Sequence, residues 1–256
     1  MKPLFVAMRP KQWSKNVLVF AGLLFAQDVF ILEKIVQAVV AFVVFCAVSS
    51  GTYLINDVID IKKDQLHPQK RFRPIASGAL SPSIAIVVAA VLSILGIGAA
   101  FVTQFYFGLI LLAYFVLMLL YSLYLKHLII LDVLIIASGF VFRAVGGTLA
   151  IEEQVSSWLI ICTIFLALFM ALGKRRAEVL SLGDQAGDVR KTLVRYDRPF
   201  LDQMIIISTA ACLMAYALYT LDTETVTKFG TRNLVLTLPF VIYGLFRYLY
   251  LIYHEN

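Results

Sequence analysis

The sequence predicts an all-α protein, a polytopic membrane helical bundle read as eight transmembrane helices. Three observations carry this. The chain is 61% hydrophobic and only 15% charged, where an ordinary soluble domain carries about 25% charge. Its apolar residues fall into blocks of about 17–25, close to the roughly 20 residues that a helix needs to cross a bilayer. Its charges are also sorted: 17 of the 22 Lys and Arg residues lie before the first block or in alternate connections.

The blocks are 13–31, 35–57, 83–102, 104–124, 128–150, 155–173, 200–221 and 233–252. The first follows a basic start, "MKPLFVAMRPKQWSKN", whose apolar core is too short and Pro-broken for a cleavable signal peptide. Read as a helix, this start places Arg9, Gln12 and Asn16 at i, i+3 and i+7. It also puts Lys11 and Lys15 on one side at i, i+4, beside Trp13, a residue suited to a membrane interface. The plain reading is an interfacial anchor; the sharper one is a grip on the phosphate of a lipid entering from the side. The second block ends in carboxylates, discussed below. The third and fourth are apolar throughout, and Tyr121, Tyr124 and Lys126 close the fourth on one face. In the fifth, Asp132, Gly139, Arg143 and Gly146 make one helical stripe expected to face the bundle interior, since an intramembrane Arg seeks a cavity or partner. Carbonyls or a carboxylate on a neighbouring helix would satisfy Arg143, and the glycines would admit neighbouring backbones. The sixth runs into "GKRRAE", and the last two frame a short polar connection.

Positive charge collects in the N-terminal segment, in 58–82, at Lys126 and in 174–199, while the opposite connections hold only Lys34, Lys228 and Arg232. The positive-inside rule then places the termini and both long connections in the cytoplasm. The net charge of +6 is read in the same way, with no nucleic-acid partner. Cys46, Cys162 and Cys212 all lie inside apolar blocks and are expected as buried thiols, without disulfide or metal cluster. The chain reads as a single domain, 1–256, with its chemistry on two polar stretches, about 56–82 and 174–199.

The first of these is "LINDVIDIKKDQLHPQKRFRPIASG". On a continuing helix Asp57, Asp60 and Asp64 share a face at i, i+3 and i+7, and Asn56, Asp60 and Asp64 make an overlapping row. Carboxylates this close repel one another. A divalent cation relieves the repulsion, and an all-oxygen set of Asn56, Asp57, Asp60 and Asp64 suits Mg²⁺, which shares itself with substrate phosphates. The plainer reading is a solvated helix end balanced by Lys62 and Lys63. Lys70, Arg71 and Arg73 follow within one short loop and suit phosphate oxygens; the alternative for them is a lipid-headgroup anchor. A metal beside such cations is an arrangement for a diphosphate. His67 reads as a loop residue.

"NDVIDIKKD" followed by "KRFRPIASG" resembles the first aspartate-rich motif of the UbiA superfamily of intramembrane prenyltransferases. "RPKQWSKN", "YLKHLIILDVLIIASGFVFRAVGGTLA", "GKRRAE" and "RKTLVRY" make the chain similar to one branch, the decaprenyl-phosphate phosphoribosyltransferases. The superfamily usually has nine transmembrane helices, where eight are counted here. It also usually carries a second D-x-x-x-D. Here Asp184 and Asp188 sit between glycines, in a stretch dominated by Lys174, Arg175, Arg176, Arg190, Lys191 and Arg195. The resemblance implies transfer of 5-phosphoribosyl from phosphoribosyl pyrophosphate to a polyprenyl (decaprenyl) phosphate in the bacterial inner (plasma) membrane, for cell-envelope arabinan synthesis. It implies Mg²⁺ on Asp57, Asp60 and Asp64. Lys70, Arg71, Arg73, Lys126, Lys174 and Arg175 would serve as phosphate contacts, and Lys11, Lys15 and Asn16 would lie toward the lipid. Tyr121, Asp132, Glu178, Arg195 and Tyr196 are further substrate-binding candidates. An assembly of several copies is compatible with all of this. The alternatives are an aromatic prenyltransferase using a prenyl diphosphate, and a lipid transporter.

Overall fold

The computed structural model describes residues 2–182 and 195–254. The chain divides into two compact units, Met1–Val155 and Ser156–Asn256. Among the described residues every regular element is helical, and seven helices are long and apolar enough to cross a membrane.

The first unit opens with α1 (Lys2–Ala7), a 3₁₀ segment (Pro10–Phe20) and α2 (Ala21–Ala26). It continues with α3 (Leu32–Ile59), α4 (Ile61–Leu66), a 3₁₀ turn (Lys70–Phe72), α5 (Pro82–Thr103) and α6 (Phe105–Leu123). A 3₁₀ turn (Leu125–His127) and α7 (Leu131–Ala150) complete it. The first apolar block is therefore not a uniform α-helix. At about 2.0 Å per 3₁₀ residue and 1.5 Å per α residue, residues 10–26 still reach roughly 31 Å, about one hydrocarbon core. Ion pairs place the two ends of this stretch. Arg9, just before it, meets Asp57 near the C-terminal end of α3; Asp28, just after it, meets Lys34 at 2.6 Å near the N-terminal end of α3. The segment thus runs along the length of α3 as a further apolar stretch of the first unit.

The 3₁₀ geometry also corrects the expected facing of the side chains. Three residues per turn eclipse i and i+3, so Trp13, Asn16 and Val19 share the inward face; Asn16 and Val19 are fully buried. Lys11 and Lys15, four apart, lie about 120° from each other instead of on one side. Lys11 is exposed and Lys15 half-buried.

Close backbone contact holds this crossing on α7. A Cβ on Gly147 would overlap the Val19 carbonyl, and one on Gly22 would come within 2.6 Å of the Thr148 Cα. Around this seam lies a core that includes Phe45, Val48, Phe107, Leu111 and Tyr114. The outer faces of α5 and α6 carry exposed Ile94, Leu95, Val102 and Leu112, a perimeter suited to lipid rather than water. Helix α3, 28 residues long, measures about 42 Å. It is longer than a hydrocarbon core, so its last turns emerge with Asn56 and Asp57.

The second unit consists of α8 (Ser157–Leu182), α9 (Arg198–Leu221), α10 (Thr223–Phe229), a 3₁₀ turn (Asn233–Thr237) and α11 (Leu238–His254). The apolar block read as 155–173 is the start of a longer helix. Lys174 to Glu178 are helical and not part of a loop, because "KRRAEVLSL" consists mostly of good helix formers with no Gly or Pro. Asp197 caps α9, its carboxylate accepting from the Phe200 N–H at 3.0 Å. Arg176 fastens three helices of this unit: it donates to Asp202 at 2.7 Å and to the Ile252 carbonyl at 3.1 Å, and its guanidinium lies 4.2 Å from the Tyr253 ring centre. It is thereby committed to holding these helices together. The three cysteines are free thiols, with Cys46 and Cys212 buried and Cys162 half-buried.

Candidate active site

The aspartate-rich stretch straddles the joint between α3 and α4. Asp60 caps α3 with φ −94° and ψ 9°, outside regular helix values, but the hydrogen-bond ladder survives. The Asp60 N–H donates to the Asn56 carbonyl at 3.0 Å and the Asp64 N–H to the Asp60 carbonyl at 2.8 Å. Asp57 and Asp64 are buried, at 2% and 4% exposure, and they converge. One atom, Arg73 Nη1, donates to Asp57 Oδ1 at 3.0 Å and to Asp64 Oδ2 at 2.7 Å. Arg9 Nη2 donates to the same Asp57 oxygen, and the Arg9 guanidinium lies 4.9 Å from the Tyr53 ring centre. Asp60 turns elsewhere: both its oxygens accept from Lys126 Nζ, at 2.7 and 2.8 Å. Among the described residues no group of three or more acidic, His or Cys side chains is gathered as metal ligands. Of the expected trio the structure brings Asp57 and Asp64 together on Arg73, whereas Asp60 is paired with the buried Lys126. Asn56 is half-buried in the last turn of α3.

Most residues of "RFRPIASG" have a local task. Pro74 holds Arg73 in extended backbone, at ψ 144°, which ends the 3₁₀ turn. Ile75 and Leu80 are buried with Ala7, Leu54, Ala85 and Ala89 and pin the loop to the bundle. The Ala76 carbonyl accepts from Gln65 Nε2 at 3.2 Å. Gly78 supplies a φ of +79° that side-chain-bearing residues rarely adopt. His67 Nδ1 accepts from the N–H groups of Gln69 and Lys70 at 3.1 and 3.3 Å, a loop role as expected. Lys70 is half-buried. Arg71 is exposed, its guanidinium 4.8 Å from the Phe72 ring centre.

Behind the carboxylates lies a buried polar ladder. Arg143, 5% exposed, donates to Asn16 Oδ1 at 2.6 Å, the Gly139 carbonyl at 2.5 Å and the Tyr114 hydroxyl at 3.0 Å. Asn16 Nδ2 donates in turn to Cys46 Sγ at 3.1 Å and Ser49 Oγ at 3.3 Å, and Trp13 Nε1 donates to Ser50 Oγ at 3.0 Å. The stripe of Asp132, Gly139, Arg143 and Gly146 does face inward, all four being buried. Arg143 is satisfied by a carbonyl, an amide and a phenol rather than by a carboxylate. Arg143→Met strands Asn16 and Tyr114. It is expected to lower stability by about 2–5 kcal/mol, seen as a fall in the thermal midpoint of the detergent-purified protein; an unchanged midpoint would refute the bracing role.

The remaining candidates are placed separately. Tyr121 is half-buried and Tyr124 exposed, while Lys126 is buried in a 3₁₀ turn. The three do not share a face because α6 stops at Leu123. Asp132 is fully buried in the first turn of α7. In the second unit Lys174 is exposed, and Arg175, 4% exposed, donates to Glu178 at 2.5 Å. Arg195 is exposed; Tyr196 is buried, with its ring 6.3 Å from Phe200. Asp184, Asp188, Arg190 and Lys191 lie outside the described residues. Arg9 is the residue that sequence reasoning underrated as a site group. Its signals were its place before Pro10 and its row with Asn16, and its backbone at φ 55° is the kind of local strain that collects at functional sites.

Comparison with known proteins extends the argument. The chain is 38% identical to a decaprenyl-phosphate phosphoribosyltransferase of Corynebacterium glutamicum over 92% of its own length and 73% of the relative's. It is 34% identical to the protein of that name from Mycobacterium tuberculosis, over 92% and 79%. In structure it is similar to a UbiA homolog from Archaeoglobus fulgidus bound to GPP and Mg²⁺, with a TM-score of 0.76 at 18% identity, covering 96% of this chain and 85% of that one. It is also similar to a digeranylgeranylglyceryl phosphate synthase structure, with a TM-score of 0.70 at 19% identity and 100% and 88% coverage. At such identities these two likenesses speak for the fold, which is that of a multi-pass membrane protein. Residues 16–256 match the profile of the UbiA prenyltransferase family, and the chain belongs to that family.

Proposed function

We propose that the protein transfers a 5-phosphoribosyl group from phosphoribosyl pyrophosphate to a polyprenyl phosphate, decaprenyl phosphate by the names of its relatives, and releases pyrophosphate. The observation that carries this reading is the convergence of Asp57 and Asp64 on one cationic point, with Arg9, Arg73 and Lys126 ranged around the three carboxylates. Alternating carboxylates and cations of this kind suit a metal-associated polyanion.

The donor set fits a divalent cation. It is all oxygen, it is buried, and two carboxylate oxygens already point at one positive centre. Asp57 and Asp64 would hold the ion, which when bound supplies charge neutralisation on the diphosphate. The chain's own groups do the rest. Arg73 and Arg9, each about a quarter exposed, can offer a guanidinium fork to phosphate oxygens as negative charge builds on departing pyrophosphate. Lys126 keeps Asp60 neutralised and in place. The acceptor, a phosphate monoester, is already anionic at neutral pH, so its oxygen can form the bond to the anomeric carbon while the bond to pyrophosphate breaks. No general base is required, in keeping with a site built without a catalytic His. Rate enhancement then rests on positioning and electrostatics.

The sorting of Lys and Arg supports a bacterial plasma membrane location with this site on the cytoplasmic face, and the product would feed arabinan precursor synthesis for the cell envelope. The purified protein, incubated with Mg²⁺, polyprenyl phosphate and phosphoribosyl pyrophosphate labelled in the ribose, is expected to move label into the lipid extract. No label in the extract, together with prenylation of an aromatic acceptor from a prenyl diphosphate, would replace this reading with the aromatic one.

A further inference from the structure

We propose that Arg73 is a displaceable counter-ion: its guanidinium competes with the divalent cation for the point between Asp57 and Asp64, and moves onto the diphosphate when that cation enters. The proposal deepens the phosphoribosyl reading and rests on it for the identity of the diphosphate. Its starting point is a single atom. Arg73 Nη1 lies within 3.0 Å of Asp57 Oδ1 and 2.7 Å of Asp64 Oδ2, the place that a metal held by these same two oxygens would take. Magnesium–oxygen distances are about 2.0–2.1 Å, shorter than these contacts, so an ion held by both oxygens would leave no room for the nitrogen. Two positive charges cannot share that space, and the two occupants are mutually exclusive.

Three further features make Arg73 the group that yields. Its backbone is fixed, with Pro74 behind it and Ile75 buried, so any movement falls to the side chain. That side chain is 26% exposed, which leaves part of its guanidinium open to a ligand. The neighbouring pair is built differently: Lys126 and Asp60 are 8% and 16% exposed, with the ammonium on both carboxylate oxygens. Asp60 is therefore held as a fixed pair and Asp57 with Asp64 as an exchangeable one. Arg9 bonds to Asp57 and leaves the point between the two carboxylates to Arg73, which bonds to both.

The consequence is coupling. The metal alone must evict Arg73 into solvent and so binds weakly. The metal arriving with a diphosphate gives the evicted guanidinium a bidentate partner, so each ligand tightens the other. The test uses the full chain in nanodiscs, with Mn²⁺ as the probe and its free fraction read by electron paramagnetic resonance. Phosphoribosyl pyrophosphate is expected to tighten Mn²⁺ binding at least tenfold in the parent protein. Arg73→Gln is expected to bind Mn²⁺ alone at least fivefold more tightly than the parent and to lose most of the tightening. Arg73→Lys, which retains the charge, should return Mn²⁺ affinity toward the parent value. Equal or weaker Mn²⁺ binding by Arg73→Gln would overturn the proposal and leave Arg73 as a structural brace.

A measurement on the parent chain guards against a variant that fails to fold. Mn²⁺ should speed modification of Arg73 by phenylglyoxal, scored by peptide mass, and added phosphoribosyl pyrophosphate should protect it; slower or unchanged modification with Mn²⁺ overturns the proposal as well. The Mn²⁺-only arms do not depend on the donor. If they behave as stated while phosphoribosyl pyrophosphate has no effect, the displacement stands and the donor assignment falls.

Discussion

Asp57→Asn is expected to insert and purify like the parent protein and to lose at least a hundredfold in kcat/KM for phosphoribosyl transfer. Asparagine keeps the size of the side chain and one oxygen, so α3 has no steric reason to change. What disappears is a negative charge at 2% exposure that faces two guanidinium groups, those of Arg9 and Arg73. Both arginines are partly exposed and can rehydrate, and Arg73 retains Asp64, so the loss of stability should be small. Loss of the anionic oxygen removes half of the convergent pair proposed to hold the divalent cation. A hundredfold is about 2.7 kcal/mol of transition-state stabilisation, modest for the loss of a charged ligand. Asp60→Asn is the informative contrast. It should strand Lys126 and lower turnover, while leaving Mn²⁺ affinity within about twofold of the parent, because Asp60 points away from the shared point. Transfer of label to lipid, measured alongside size-exclusion behaviour, checks both variants. Parent-like turnover of Asp57→Asn would remove this carboxylate from the mechanism.

The second large effect concerns packing. Gly147→Ala adds one methyl group, which would overlap the backbone carbonyl of Val19. A side chain can rotate out of such a collision, but a backbone inside a packed seam cannot, so the 3₁₀ crossing must separate from α7. Overpacking usually costs about 1–3 kcal/mol, and this change should lie at or above the upper end of that range. Gly98→Ala is the control: a Cβ there meets nothing within 4 Å, and inside α5, more than a turn from its end, the exchange should stabilise by about 0.5–1 kcal/mol. Thermal unfolding of the two purified variants should therefore move in opposite directions, and a Gly147→Ala midpoint equal to the parent would show that the seam is loose.

Much of this architecture could be read from composition and spacing. Block length and hydropathy located seven long helices, and charge sorting located the ends that carry polar chemistry. The inward stripe through Asp132, Gly139, Arg143 and Gly146 followed from helical period alone. What escaped was anything set by a period other than 3.6. Lys11 and Lys15 seemed to share a side because an α-helix was assumed, and the 3₁₀ turn count parts them. Asp60 seemed to join Asp57 and Asp64 by the same arithmetic; the irregular joint at Asp60, together with Lys126 sixty-six residues away, turns it aside. Pairings across such separations have no local signature. Arg9 on Asp57 and Arg143 on Asn16 belong to the same class, since each residue type announced only that it needed a partner.

The link between Asn16 and Arg143 spans 127 positions in the chain, and it orders events during synthesis. The crossing made first carries a buried amide, and α7 carries a guanidinium; neither is comfortable in hydrocarbon until it finds the other. When the ribosome has placed α3 in the bilayer, the segment that precedes it has only part of its final polar contacts, from Ser49, Ser50 and Cys46. Its remaining polar contact, and the groove of Gly147 and Thr148 into which it settles, arrive more than a hundred residues later. The earliest pass to be translated is thus among the last to be secured. Because that pass delivers Arg9 to Asp57, the cluster of carboxylates and cations is completed only after α7 has been inserted.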